Sequence, residues 1–173
     1  WQGGLAIHGA VIGGVLVMIA WCRAKKQKIF DWLDLAAVGM PLGQAIGRFG
    51  NYFNQELFGG PTDLPWSISI DVSHRPIQYL SSTHFHPAFL YESILNFILF
   101  LILFFLMRKD KLPAGAVALL YIAGYGLIRF MIEFIRIDET AMVLGWRLPQ
   151  VVSVIATATA ILIFSLLFKK KKT

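Results

Sequence analysis

The chain has 173 residues, of which 57% are hydrophobic and 15% are charged, and it carries a net charge of +6. Its mean hydropathy of +0.64 is well above that of soluble domains, so the composition excludes an ordinary soluble protein and predicts one that folds in a membrane. Cys22 is the only cysteine, which excludes an internal disulfide and a metal cluster held by several thiolates.

Five apolar stretches follow one another along the chain. Residues 3–22, 87–107 and 148–168 are each about 20 residues long and nearly free of charge, the length that crosses a hydrocarbon core. Residues 32–49 and 114–136 are weaker candidates, because Asp34 and Arg48 interrupt the first and Arg129 the second. We predict an all-α fold, a polytopic transmembrane helical bundle with five spans that forms a single domain over residues 1–173. Residues 51–86, too few to bury a core alone, form its small extracytoplasmic loop or head.

Most lysines and arginines lie between spans one and two, between spans three and four, and after span five. If the spans alternate, these places share one side, which the positive-inside rule identifies as the cytoplasm. The carboxyl terminus is then cytoplasmic, and residues 51–86 and 137–147 face outside. Topology and anionic membrane lipid account for the positive charge without a nucleic acid partner. Since Trp1 would enter the membrane from outside, we expect an upstream portion with an even number of further spans.

Span one contains His8 among several glycines, which allow neighbouring helices to approach closely. On the residues alone, two interpretations of His8 stay open. It either bonds a neighbouring carbonyl group or belongs to a functional site, because ionisable groups inside membranes are often functional.

Span two ends in the polar run IGRFGNYFNQE, residues 46–56. On a helix, Arg48, Asn51 and Gln55 share one face, with Glu56 beside it. A lone arginine at a helix end can simply reach up to the lipid headgroups. The additional amides have no such explanation, and they indicate one wall of a pocket.

Span three opens with HPAFLYES, residues 86–93. Pro87 suits the first turn of a helix, which places His86 at the outer mouth and Glu92 within about two turns of it. Glu92 is a carboxylate inside the membrane, and we expect an arginine of a neighbouring span to be its partner. His84 and His86 form an H-x-H pair without a third ligand, so we predict no metal site.

Span four runs outward through YGLIRFMIEFIR, residues 125–136. Tyr125, Arg129, Glu133 and Arg136 recur at helical spacing and predict one polar stripe on an apolar helix. A charge at mid-bilayer costs about 3 kcal/mol, so several in line are expected to face protein or water. An ion pair between Arg129 and Glu133 that serves structure alone is the alternative, but it leaves the other two residues unexplained.

Alternation places His8, Arg48, Glu92 and Arg129, from four different spans, in the outer half of the membrane. We expect them to meet in one cavity that opens to the outer leaflet. A guanidinium group matches the oxygens of a phosphate, so such a cavity suits a lipid headgroup whose acyl chains stay in the bilayer. Within the outer loop, the alternating stretch WSISIDV, residues 66–72, predicts a short strand in a lid or head.

Four segments together resemble bacterial prolipoprotein diacylglyceryl transferases: WQGGLAIHG, GRFGNYFNQELFG, HPAFLYES and YGLIRFMIEFIR, in this order and spacing. Residues 47–59 match the family signature G-R-x-G-N-x-x-N-x-E-x-x-G at every fixed position. One departure is Ala10, where the family commonly has a second glycine after the histidine. The resemblance implies seven spans in the bacterial cytoplasmic (inner) membrane, two of them upstream of residue 1, with the active site toward the outer leaflet.

The resemblance also implies a reaction. The diacylglyceryl group of phosphatidylglycerol moves to the thiol of the lipobox cysteine in a prolipoprotein signal peptide, a thioether forms, and glycerol phosphate leaves. No cofactor takes part. A phospholipid flippase or headgroup-binding transporter is the alternative, but it would be expected to show internal repeats, and none is found. A serine lipase would need G-x-S-x-G, which does not occur.

Through the resemblance, three residues become catalytic candidates. His8 aligns with a base for the incoming thiol, since a thiol of pKa near 8.5 attacks best once its proton is removed. Arg48 and Arg129 align with essential arginines, which stabilise charge on the leaving oxygen, and we expect them to bear more of the catalysis than His8. The candidate substrate-binding residues are Asn51, Asn54, Glu56, Gly59, Glu92, Tyr125, Glu133 and Arg136.

Overall fold

The computed structural model describes residues 7–109 and 112–172, with the side chains of residues 9–109 and 112–169. It is mostly helical, which confirms the predicted all-α class, and each predicted apolar stretch contains one helix. The five helices are α1 Ile7–Ala24, α2 Ile29–Phe53, α3 Ala88–Met107, α4 Ala116–Ile132 and α5 Leu148–Lys172.

Two of these helices, α3 and α5, are long and apolar enough to cross a membrane by themselves. Residues 9–24 of α1 and all of α4 are apolar but shorter. Large hydrophobic side chains are exposed along α1, α3 and α5, as expected for helices that face lipid rather than water. Helix length, composition and exposure together identify a membrane protein.

Helix boundaries differ from the prediction at two places that concern the site. Helix α4 ends at Ile132, so Arg136 lies beyond it and is not part of its polar stripe, and the backbone of Arg136 forms an isolated bridge with Gly59. Helix α2 ends at Phe53, and Gln55 follows in a left-handed conformation with φ of 50°. The prediction that Gln55 shares a helical face with Arg48 is therefore wrong.

The bundle is held together by two packed pairs, α2 with α3 and α4 with α5, and α4 also contacts α2 and α3. Ser93 of α3 donates a hydrogen bond of 2.8 Å to the carbonyl oxygen of Ala45 in α2. Gly126 lets α4 approach α5, since a Cβ there would collide with Thr157. The buried core of these helices consists of Val38, Leu99, Leu103, Val117, Ile128 and Ile132.

Asp34, the acidic residue that weakened the second span as a membrane candidate, is buried and caps another helix. Its carboxylate accepts hydrogen bonds from the backbone N–H groups of Gly115, at 2.7 Å, and Ala118, at 2.8 Å. Both groups belong to the first turn of α4, where orphan donors and the helix dipole favour a negative charge. Asp34 thus joins α2 to the start of α4.

The segment between α2 and α3 contains two short strands, β1 Ile68–Ser69 and β2 His84–Phe85, which pair antiparallel. The strand expected within residues 66–72 is confirmed. Phe58, Ile70 and Phe85 form a small buried cluster, and Ile137, from the segment after α4, packs against it. The segment therefore borrows apolar surface from elsewhere in the chain.

A second hairpin, which the sequence did not predict, lies between α4 and α5. Strands β3 Met142–Val143 and β4 Trp146–Arg147 pair antiparallel around Leu144 and Gly145, both with positive φ. Positive φ at both central residues is the geometry of tight hairpin turns that match strand twist. This hairpin leads directly into α5 and places Arg147 beside the end of α4.

Candidate active site

The end of α2 carries Arg48, whose guanidinium group contacts two helices. Nη2 lies 2.6 Å from Oε1 of Glu92 in α3, and Nη1 donates to Oδ1 of Asn51 at 3.3 Å. The Glu92 side chain is 2% exposed, whereas that of Arg48 is 20% exposed. The arginine expected to neutralise Glu92 is therefore Arg48, and it remains reachable from outside the protein.

The signature residues that follow Arg48 bond to one another. Asn51 and Asn54 both donate through Nδ2 to Oε1 of Glu56, at 2.9 and 3.3 Å. Since Asn51 also accepts from Arg48, the hydrogen bonds run from the arginine to Glu56, and an ion pair joins the arginine to Glu92. A contiguous stretch of sequence thus builds one side of the candidate site.

Gln55 takes a different direction from its neighbours in the signature. Its amide donates to Oδ2 of Asp71 at 2.9 Å and accepts from the Asp71 backbone N–H at 2.7 Å. Gln55 and Leu57 both have left-handed backbones, at φ of 50° and 55°, a conformation that non-glycine residues adopt at a cost of about 1 kcal/mol or more. This turn fastens the segment after α2 next to Arg48.

Gly59, the last fixed residue of the signature, lies where three segments meet. Its N–H donates to the carbonyl oxygen of His86 at 2.9 Å, and its backbone bridges to Arg136. A Cβ at this position would lie 2.6 Å from Cγ2 of Ile135 and 2.7 Å from Cβ of His86. A side chain there would force these neighbours to move, so Gly59 permits the close approach of the signature loop to the start of α3 and the end of α4.

Arg129 is the second arginine predicted for the site, near the end of α4. Its Nη1 lies 2.8 Å from Oε2 of Glu133, whose side chain is fully buried, while Arg129 itself is 18% exposed. Glu92 and Arg136 are also near enough to act electrostatically on Arg129. Glu92, which contacts Arg48 directly, therefore acts electrostatically on both arginines.

These buried carboxylates hold the arginines by proximity rather than by well-directed hydrogen bonds. Oε1 of Glu92 and both carboxylate oxygens of Glu133 have no hydrogen-bond partner of good geometry, despite the short distances. Nη1 of Arg129 likewise has no hydrogen-bond partner of good geometry.

Arg136 belongs to a charged turn just after α4. Its Nε donates to Oδ1 of Asp138 at 2.7 Å, and its side chain is 5% exposed. Burial alone would raise the pKa of Asp138, but the hydrogen bond from Arg136 and the charges of Arg136 and Arg147 outweigh it and lower that pKa. Arg136 therefore has a protein partner, and its predicted part in substrate binding stays a prediction.

Arg147 is a functional candidate that the sequence did not single out. Its Nε lies 2.8 Å from Oε1 of Glu133, so Glu133 has one arginine on each oxygen. Arg147 is identified as a candidate only by its contact with Glu133 at the end of α4, and nothing in the sequence of its loop predicted that contact. A cavity of about 370 Å3 opens beside these groups, lined by Glu133, Phe134, Arg136, Gly145, Trp146, Arg147 and Gln150.

The polar stripe of α4 continues inward from Arg129 through two tyrosines. Tyr125 stacks on Tyr121, with ring centroids 6.0 Å apart, and the hydroxyl of Tyr121 accepts a hydrogen bond of 3.0 Å from Gln44. Tyr125 is thus on the same helix as Arg129, one turn deeper. His8 lies in α1, but its side chain is outside the described part of the structure.

His86 is held at the mouth of α3 by a short chain of side chains. The indole N–H of Trp66 donates to the hydroxyl of Tyr91 at 2.8 Å, and that hydroxyl lies 3.2 Å from Nδ1 of His86. His84 instead contacts the hydroxyl of Thr83 at 2.8 Å. The two histidines of the H-x-H pair therefore bond to different neighbours.

The fold and the site together define a class of protein. It is a helical membrane protein in which separate helices contribute partly exposed arginines, and each arginine lies against a buried glutamate. The sequence profile of the prolipoprotein diacylglyceryl transferase family matches residues 1–166. The chain belongs to this family.

Three curated relatives bear the name phosphatidylglycerol–prolipoprotein diacylglyceryl transferase. That of Synechococcus sp. (strain CC9902) is 51% identical over 144 residues, which are 80% of this chain and 51% of that protein. That of Synechococcus elongatus is 44% identical over 167 residues, 94% of this chain and 57% of that protein. That of Acaryochloris marina is 44% identical over 175 residues, 100% of this chain and 63% of that protein. The chain therefore spans between 51% and 63% of the length of these relatives.

Proposed function

We propose that the protein transfers the diacylglyceryl group of phosphatidylglycerol to the lipobox cysteine thiol of a prolipoprotein signal peptide, the first step of lipoprotein maturation. A thioether forms at the thiol sulfur, and glycerol phosphate is the leaving group. One observation carries the proposal: Arg48 and Arg129, on two different helices, each lie against a buried glutamate and both remain partly exposed. The names of the relatives agree with this reaction.

The two arginines have a role at each end of the reaction. In the bound lipid, their guanidinium groups hold the oxygens of the headgroup phosphate. As the bond to the diacylglyceryl carbon breaks, negative charge grows on the phosphate oxygen that leaves, and arginines already in place stabilise it. The buried carboxylates of Glu92 and Glu133 keep both side chains oriented before the lipid arrives.

The incoming thiol must lose its proton to attack the lipid. His8 is the proposed base, on the strength of the family resemblance. The remaining candidates shape the binding site: Asn51, Asn54 and Glu56 through their shared network, Tyr125 on the face of α4 below Arg129, and Gly59 through the backbone it brings close.

We infer further that all five helices cross the bacterial cytoplasmic membrane, with the carboxyl terminus in the cytoplasm and the site toward the outer leaflet. The distribution of basic residues supports this orientation. Residues 51–86 then form an extracytoplasmic head within one membrane domain.

The decisive experiment uses the protein in the full length encoded by its gene, purified in detergent, with phosphatidylglycerol and a synthetic lipobox peptide. Mass spectrometry should show a peptide heavier by one diacylglyceryl unit. The gain should vanish when serine replaces the peptide's cysteine, and also in Arg129→Ala. A peptide of unchanged mass contradicts the proposal, and lipid movement across vesicles without any modified peptide would favour the flippase alternative.

A further inference from the structure

We propose that Arg147 is a positioning residue, which keeps the positive charge of Arg129 available to the anionic substrate by sharing the buried carboxylate of Glu133. This inference rests on the proposed function, in which Arg129 binds the headgroup phosphate. Arg147 lies in strand β4, outside the four segments that carry the family resemblance.

Glu133 stands between two arginines. Its Oε2 lies 2.8 Å from Nη1 of Arg129 and its Oε1 lies 2.8 Å from Nε of Arg147. The side chain is fully buried, so little solvent screens these charges. With Arg129 alone, Glu133 would cancel the charge that the phosphate needs, whereas two arginines on one carboxylate leave a positive charge in excess.

Arg147 itself is held by the protein on its other side. Its Nη1 and Nη2 donate to the carbonyl oxygens of Arg136 and Asp138, and Nη2 lies 3.7 Å from the Asp138 carboxylate. With Nε 2.8 Å from Oε1 of Glu133, each nitrogen of the guanidinium group lies against a protein group. Arg147 therefore acts on the substrate through Glu133 and Arg129 rather than by direct contact.

The hairpin makes this arrangement possible. Its turn at Leu144 and Gly145 reverses the chain immediately before α5 and brings Arg147 back to the end of α4. The availability of the Arg129 charge to the substrate thus depends on Arg147, which lies 18 positions later in sequence. Among the described residues, strand β4 contributes no other side chain to the ion pairs of Arg48 and Arg129.

The test compares initial transfer rates at varied phosphatidylglycerol concentration for Arg147→Gln, Arg147→Lys and a matched control, Arg75→Gln. Arg75 also donates to two backbone carbonyls, those of Ile70 and Leu80, but has no carboxylate contact among the described residues. Arg147→Gln should lower kcat/KM for the lipid about tenfold, the usual scale for losing a supporting partner. Arg147→Lys keeps the charge beside Glu133 but loses the fixed fork of the guanidinium group, so its loss should be smaller than that of Arg147→Gln, and Arg75→Gln should match the wild type.

A second pair of variants separates charge sharing from a purely structural role. In a Glu133→Gln background the carboxylate that Arg147 shares with Arg129 is gone, so adding Arg147→Gln should cost little more. Removing both Arg147 and Glu133 leaves neither of these two as a lone buried charge, so the double variant keeps the test open if Arg147→Gln fails to fold. Thermal unfolding in the same detergent confirms that each variant compared is folded.

Three results would overturn the inference: wild-type kinetics in Arg147→Gln, equal losses in the lysine and glutamine variants, or a further tenfold loss when Arg147→Gln is added to Glu133→Gln. Each of these requires an active wild type. A wild type that transfers nothing to the peptide would instead contradict the proposed function, so the two failures are distinguishable.

Discussion

The two arginine–glutamate pairs of the site, Arg48 with Glu92 and Arg129 with Glu133, are built in different ways. Arg48 is supported by its own neighbours in sequence, since Asn51, Asn54 and Glu56 lie within eight residues of it, and α3 adds only Glu92. Arg129 is supported by groups that follow it over a long stretch, through the turn after α4 and the hairpin before α5. The first pair depends on a local motif, and the second depends on how distant segments fold together.

Despite this difference, both arginines should be equally important to the reaction. Arg48→Ala and Arg129→Ala should each lower kcat by roughly 100- to 1000-fold, the usual loss when a preorganised donor to a developing negative charge is removed. Transfer assays with the lipobox peptide measure this effect. Arg108→Ala is the control, because Arg108 lies at the far end of α3 and contacts the ring of Phe104. If one of the two arginines proved dispensable, the idea of a shared anion site would fail.

Gly59 allows the signature loop after Arg48 to contact the turn after Arg129 at the end of α4. Gly59→Ala should lower the free energy of unfolding by about 1–3 kcal/mol, because the new methyl group overlaps Ile135 and His86. Transfer activity should fall with it. Gly60→Ala is a matched control one residue later, where the nearest atom would lie 3.8 Å from the Cβ. Equal unfolding curves for the two variants would show that the close approach at Gly59 is unimportant.

Asp34 tests a contact that lies away from both arginine pairs. Asp34→Ala should cost about 1–3 kcal/mol, because it leaves the buried N–H groups of Gly115 and Ala118 without their acceptor. Denaturant unfolding in detergent measures the loss, and transfer by the folded fraction should stay normal. Asp31→Ala, at the exposed start of α2, should change stability by a few tenths of a kcal/mol at most. A reversed order of the two variants would contradict the assigned cap.

The smallest effect concerns acid and the turn after α4. The pKa of Asp138 lies below its ordinary value of 3.8, so its ion pairs stabilise the folded protein above that pH and are lost as pH falls through the lowered pKa. Asp138→Asn should therefore lower the melting temperature at neutral pH, and the difference from the wild type should shrink as the pH falls below 3.8 and through the lowered pKa. A difference that grew in acid would show that Asp138 is not stabilised as its carboxylate.

Sequence reasoning reached the parts of the molecule that local patterns determine. Apolar length located all five helices, and helical spacing identified Arg48 and Arg129 as candidates. It placed Gln55 and Arg136 on helices that end before them. No local pattern in the sequence shows where a helix ends because the following backbone bonds to another segment. In the structure, Gly59 and Arg136 pair with each other across 77 positions of sequence.

Arg147 was missed for a related reason. Basic residues in loops of membrane proteins ordinarily serve topology, and nothing in the stretch MVLGWR distinguishes Arg147 from such a residue. Only the hairpin brings it to Glu133. The pairing of Glu92 with an arginine could be predicted, because a carboxylate inside a membrane requires a partner. For Glu133, Arg129 one turn away already met that requirement, so the same rule did not predict a second arginine.

The most direct test is a structure of the full-length protein with phosphatidylglycerol bound. We expect phosphate oxygens within about 2.7–3.2 Å of guanidinium nitrogens of both Arg48 and Arg129, the range of true hydrogen bonds. Glu92 and Glu133 should stay on the protein side of the arginines. A phosphate held by one arginine alone, with the other turned toward an unrelated part of the protein, would contradict the account.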